Sequence, residues 1–203
     1  MLVYAENFSQ FLSDASSGQI DTIVNARVND RLNIQVGESE LASWGNSLSR
    51  VALALSRSTI PDDAGVSIEC QLPMTSKRID FILSGYDENG KSRVVIVELK
   101  QWSEAEISPH DGLVRTWLGG RIRETSHPSY QAWSYAKYLE GFNEVVEKEN
   151  IDLLPCAYLH NYKDDGIIKN DFYQSYLDKA PVFCKEDKRD LRELILTEIN
   201  PFN

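Results

Sequence analysis

Two apolar runs, residues 77–85 (KRIDFILSG) and 92–99 (SRVVIVEL), flank Asp87-Glu88-Asn89-Gly90. β-Branched and aromatic residues in both runs predict strands, and the Asn-Gly signal between them predicts a hairpin. Both strands are apolar on both faces: Ile79, Phe81 and Leu83 on one, Ile82, Val94 and Ile96 on the other. Such a hairpin belongs inside a sheet covered on each side, not on a solvated surface. Its register follows from the loop. A three-residue loop, Glu88-Asn89-Gly90, puts Gly90 at the left-handed position that glycine tolerates best. Asp87 then pairs with Lys91, Asp80 with Glu98, and Arg78 with Lys100. A two-residue loop would instead split the two carboxylates across the sheet. The glycine favours the first.

The rest of the chain supplies the covering layers. Residues 6–15 and 19–29 read as short amphipathic helices. Residues 38–57 read as a stronger one, with Leu41, Trp44, Leu48, Val51 and Leu55 at helical spacing and Ser39 as a candidate cap. Residues 66–72 (VSIECQL) alternate like a strand. Residues 108–127, with Pro109, Gly112, Gly119 and Gly120, read as loop. A helix is expected from Ser129 to about Glu149, with Tyr130, Trp133, Ala136, Tyr138, Leu139 and Phe142 available for packing. A strand over 153–162 and a charged helix over 186–199 follow. The order α, βββ, α, β, α predicts an α/β layered domain. Residues 38–162 form its core, 1–37 a helical N-terminal extension and 163–203 an acidic helical C-terminal extension.

Composition narrows the class. The 203 residues include 42% hydrophobic and 26% charged, ordinary for a globular chain. No apolar run reaches ~18 residues, and the N-terminus has no basic n-region, so neither a membrane span nor a secretory signal is expected. Three scattered cysteines, Cys70, Cys156 and Cys184, predict reduced buried thiols in a cytoplasmic protein. The net charge of −10 argues at first against a nucleic-acid partner. Six of those negative charges, however, lie after residue 139, and residues 110–139 are net +2, with Arg115, Arg121, Arg123 and Lys137 against Asp111 and Glu124.

Carboxylates facing each other in an antiparallel pair have Cβ atoms roughly 4.5–5.5 Å apart. An apolar sheet holds two such anions only at a cost, unless a cation lies between them. Mg²⁺ suits the position, because it takes one or two carboxylates and completes its shell with water and phosphate oxygens. Lys100 follows Glu98 by two residues and shares its face, where it can position an attacking water.

Asp80, followed by Glu98-Leu99-Lys100 at the end of an apolar strand, resembles the PD-(D/E)xK nuclease superfamily, with Ile79 in place of the proline. Gln131-Ala132-Trp133-Ser134-Tyr135 resembles the Q-x-x-x-Y helix motif of its RecB-like branch. The run from TSKRIDF through VELKQW to HPSYQAWSYA and CAYLHNY is similar to the nuclease-like region that precedes a helicase domain in bacterial Schlafen-group proteins. The resemblance implies a restriction-endonuclease-like αβββαβ core, with a central mixed sheet flanked by helices. It also implies Mg²⁺ or Mn²⁺ on Asp80, Glu98 and the Leu99 carbonyl, with Lys100 as the catalytic lysine. A further carboxylate on the first core helix would be Glu40, with Glu38 as its competitor. Gln131 and Tyr135 would support the site or the nucleic-acid strand, and Arg115, Arg121 and Arg123 would grip phosphates. The expected activity is metal-dependent hydrolysis of DNA, with RNA second. The alternative is an inactive module that binds nucleic acid or docks a helicase domain or subunit. No G-x-x-x-x-G-K-S/T is present, so no ATPase is expected.

His110, His127 and His160 are too scattered for a zinc motif. His127 and His160 flank core elements and are minor site candidates. Trp102 is expected to pack rather than stack on a base, and Gln101 points away from Lys100.

Overall fold

The hairpin lies at the centre of a six-stranded sheet. The computed structural model describes residues 2–200. Its elements are β1 (Tyr4–Asn7), α1 (Phe8–Ser16), α2 (Ile20–Leu32), α3 (Glu38–Leu55), β2 (Gly65–Gln71), β3 (Arg78–Tyr86) and β4 (Ser92–Lys100). Then come β5 (Glu106–Ile107), β6 (Leu113–Leu118), β7 (Arg121–Ser126), α4 (Pro128–Phe142), α5 (Glu144–Lys148), β8 (Asp152–Leu159), α6 (Gln174–Leu177), β9 (Val182–Cys184) and α7 (Lys188–Glu198). A 3₁₀ turn, Asp171–Tyr173, precedes α6.

The main sheet runs β1-β2-β3-β4-β8-β9, antiparallel up to β4 and parallel from β4 through β9. This is an α/β architecture with a central mixed sheet flanked by helices. Helices α1, α2, α3 and α7 cover one face through Phe11, Val24, Leu48, Leu55 and Ile195, packed on Ile68, Phe81, Val95 and Val97. Helix α4 covers the other face, where Tyr135 and Ala136 meet Ile79, Ile82 and Ile96. Among the described residues no helix is long and apolar enough to cross a membrane.

The hairpin has the three-residue loop. The Asp87 N–H donates to the Lys91 carbonyl at 3.0 Å, and Gly90 stands at φ +78°. The Asp87 carboxylate accepts the N–H groups of Asn89 and Lys91, each at 2.9 Å, and so fixes the turn. Phe81 pairs with Val97 and Ile82 with Ile96, in the register read from the glycine.

Several expectations are corrected. Residues 108–127 are not loop: β5, β6 and β7 form a separate antiparallel sheet. Its outer strand (RIRETS) has Ile122 as its one apolar residue, so it lacks the alternation that marks a half-buried strand. The segments read as helical extensions each give a strand to the main sheet, β1 beside β2 and β9 beside β8. The helix after Ser129 breaks at Asn143, whose backbone is extended and whose side chain caps α5. Phe142 does not enter the core; it is 62% exposed and stacks on Tyr138. Ser39 is not the cap of α3, because the helix starts one residue earlier, after an extended Gly37.

Candidate active site

Strands β3 and β4 part where the polar residues begin. Their ladder ends at Phe81–Val97. Beyond it the Leu99 N–H donates to the Asp80 carboxylate at 2.7 Å rather than to a backbone carbonyl of β3. The Asp80 and Glu98 carboxyls lie close enough across this opening for each to shift the other's protonation. Burial pushes both pKa values upward; the neighbouring carboxylate pushes Glu98 further, and the Lys100 ammonium opposes the shift in each. Glu98 is 1% exposed, and its Oε2 is buried without a hydrogen-bond partner.

Lys100 completes this group. Its Nζ lies 2.7 Å from Glu98 Oε1 and 3.1 Å from Gln131 Oε1. Burial works against its charge, but Glu98 and Asp80 outweigh it, and the Lys100 pKa is raised. Gln131 in turn donates from Nε2 to the Tyr135 hydroxyl at 2.8 Å, the contact that i,i+4 spacing on α4 permits. The hairpin motif and the helix motif, far apart in sequence, thus meet through Lys100 and Gln131.

On the α3 side a cleft of about 260 Å³ opens beside Asp80 and Leu99. Glu40 and Glu69 line it, and Arg78 bridges them, 2.5 Å from Glu40 and 2.8 Å from Glu69. Glu38 is exposed and does not line it. Glu40 therefore reaches the cleft, as expected, but spends its carboxylate on Arg78. Arg78 does not face Lys100: once the ladder ends, the register no longer dictates its partner, and it turns to the two glutamates.

Glu69 is the residue that sequence reasoning missed. It takes φ +56°, a conformation that costs an ordinary L residue of order 1–3 kcal/mol, and such residues cluster at functional sites. It is 4% exposed and accepts the Trp44 Nε1–H at 2.7 Å. Burial, then the Asp80 charge, raise its pKa to about 8 against the pull of Arg78. The pattern hid it: in the alternation of residues 66–72 Glu69 occupies a regular polar position, between Ser67 and Gln71.

The remaining candidates separate. His127 is buried, with Nε2 at 2.9 Å from the Ile168 carbonyl, and accepts the Ser129 N–H at the start of α4. His160 is buried against Ser47 at 2.9 Å. His110 is on the surface beside Glu124. The three do not converge. Trp102 is 8% exposed and packs near Val114, with Lys100 Nζ 5.5 Å from its ring centre. Gln101 turns to the Ser43 carbonyl. Arg115, Arg121 and Arg123 all lie on the β6–β7 ribbon rather than in the cleft.

The donor set fits a hard divalent cation. Two carboxylates stand side by side, one with an unpartnered buried oxygen. Among the described residues no group of three or more His, Cys, Asp or Glu side chains is gathered for a metal. A cation held here would therefore have two carboxylates from side chains, and the rest of its shell would come from other oxygens. A larger cavity, about 630 Å³, lies at the opposite end of the hairpin around Ser84, Tyr86 and Arg93 and holds no such pair. Comparison with protein-family models, curated proteins and solved structures gives no match.

Proposed function

We propose that this chain hydrolyses phosphodiester bonds of nucleic acid, DNA first and RNA second, using a divalent cation. The observation that carries the reading is the Asp80–Glu98 contact, with Glu98 Oε2 buried and unpartnered beside the Lys100 ammonium. A structural role gives no reason to hold two carboxyls together in an apolar sheet, since burying them costs stability.

Asp80, Glu98 and the Leu99 carbonyl would hold Mg²⁺ or Mn²⁺. Such an ion supplies a water of lowered pKa and polarises a phosphoryl oxygen. Lys100 keeps its charge in the buried site and offers N–H donors to a water or a phosphate oxygen. Gln131 holds Lys100, and Tyr135 holds Gln131, so the helix sets the direction of the ammonium. Arg78 lines the α3-side cleft with its guanidinium held between Glu40 and Glu69.

The test is incubation of the full chain with single- and double-stranded DNA and RNA, with Mg²⁺ or Mn²⁺, beside Glu98→Gln and Lys100→Met. Cleavage by the wild type and its loss in both variants are expected. Equal activity in the variants, or none in the wild type under any metal and substrate, overturns the reading in favour of an inactive module.

A further inference from the structure

The β6–β7 ribbon has a tight two-residue tip. Leu118 pairs with Arg121 across Gly119 and Gly120, whose φ values of +58° and +83° fit the type I′ turn of a two-residue hairpin. Below the tip Trp117 pairs with Ile122, and the two are 55% and 50% exposed. Trp44 and Trp102 are buried, so an indole this open stands out. Arg121 and Arg123 are exposed at the same tip and form no ion pair among the described residues. Arg123 lies over the turn, its Nη2 about 3.4 Å from where a Gly119 Cβ would stand.

Charge is graded along the ribbon. Carboxylates stand midway along it, where Glu124 takes Arg115 at 3.5 Å and His110 at 3.0 Å, and where Glu106 pairs opposite Arg115. At the tip the two faces differ: Trp117 and Ile122 share the face of the Arg115–Glu124 pair, while Arg121 and Arg123, opposite Leu118 and Thr116, lie on the other. The ribbon is also seated on the candidate site: Val114 packs in one cluster with Trp102, whose ring meets Lys100, and β7 ends two residues before α4.

We propose that this tip binds an unpaired nucleic-acid strand that passes over the Gly119-Gly120 turn, with a base stacked on Trp117 on one face and phosphates on Arg121 and Arg123 on the other. The proposal rests on the phosphodiesterase reading and adds the substrate class, a strand with unpaired bases rather than continuous duplex. An indole can stack only on a base whose face is free, and a duplex covers those faces along its length. Ile122 widens the platform, and the two guanidiniums supply the phosphate contacts that affinity for a polyanion requires. A recess of about 160 Å³ beside Trp117 and Ile122 is lined also by Glu104, Glu106 and Arg115, so a base rather than a phosphate suits this face.

The experiment is titration of the full chain, in EDTA, with single-stranded DNA, single-stranded RNA and blunt duplex, read by tryptophan fluorescence and by anisotropy of labelled strands. Single strands should quench the emission and bind at least tenfold more tightly than duplex. Trp117→Ala should weaken that binding roughly 5- to 100-fold, and Trp117→Phe should restore most of it. Arg121→Ala with Arg123→Ala should lower the salt slope by about 1.4. The DNA and RNA arms say which strand is preferred. Unchanged affinity in Trp117→Ala, equal binding of duplex, or no binding overturns the proposal. So does a wild-type dimer that Trp117→Ala turns into monomer without any effect on oligonucleotide binding. Binding with this pattern but no cleavage in Mg²⁺ or Mn²⁺ leaves the strand site standing and removes the nuclease reading. Cleavage with unaltered Trp117→Ala binding does the reverse.

Discussion

Lys100 and Gln131 are hydrogen-bonded across the gap between β4 and α4, Nζ to Oε1 at 3.1 Å. The Lys100 charge is fixed by Glu98, but its direction depends on a neutral amide that Tyr135 holds in turn. Gln131→Leu should therefore lower kcat roughly 10- to 100-fold with little change in KM, and Tyr135→Phe should lower it less. Steady-state kinetics on one oligonucleotide checks both. A rise in KM at constant kcat would make Gln131 a substrate contact instead.

A cation that binds between Asp80 and Glu98 stabilises the folded chain by mass action. At a hundred times its Kd the gain is about 2.7 kcal/mol, or on the order of 5–10 °C in Tm for a domain of this size. Mg²⁺ and Mn²⁺ should raise the Tm of the wild type and leave that of Glu98→Gln unmoved. Calorimetric scans with and without EDTA read the difference.

Arg78 is the countercharge of Glu69, whose side chain is 5% exposed. Arg78→Met should destabilise the chain, by about 3–5 kcal/mol where Glu69 must stay ionised. The loss should be larger at pH 9 than at pH 6, because the Glu69 pKa already stands at about 8 and would climb further without the guanidinium. Adding Glu69→Gln should recover most of the loss. Urea unfolding of the single and double variants at both pH values closes the cycle.

His127 and His160 are held neutral by burial, each with a pKa lowered to about 4, and the Arg50 charge assists at His160. The unfolded chain takes up protons on both near pH 6.5, before the folded one can. Their contribution is thus complete above about pH 6.5 and is lost as pH falls toward 4, with a slope of up to about 1.4 kcal/mol per pH unit for each. His160→Gln should flatten that slope. Chemical denaturation from pH 4 to 7 measures it, and a wild type equally stable across the window would contradict the assignment.

The parts of the fold legible in the sequence were those where one face decides the residue. The glycine at 90 fixed the loop, and the loop fixed the register as far as Phe81–Val97, one step short of Asp80 and Glu98. Gln131 and Tyr135 were legible because helical spacing alone puts them on one face. Strands β1 and β9, four and three residues long, were too short to show a period, and β7 has a single apolar residue, Ile122. The Glu40–Arg78–Glu69 bridge depends on a left-handed backbone at Glu69 and on the parting of β3 from β4. Neither leaves a mark in hydrophobic pattern.

The placement of β4 also orders its assembly. Its antiparallel neighbour arrives through a three-residue turn, so the acidic pair closes by a local, rapid step. Its parallel neighbour β8 arrives only after the ribbon, α4 and α5 have been laid down. Until then the Val94–Val97 stretch presents an open edge to any other nascent chain. The same strand that carries Glu98 and Lys100 is the aggregation hazard of synthesis, and the later arrival of β8 sets how long it lasts.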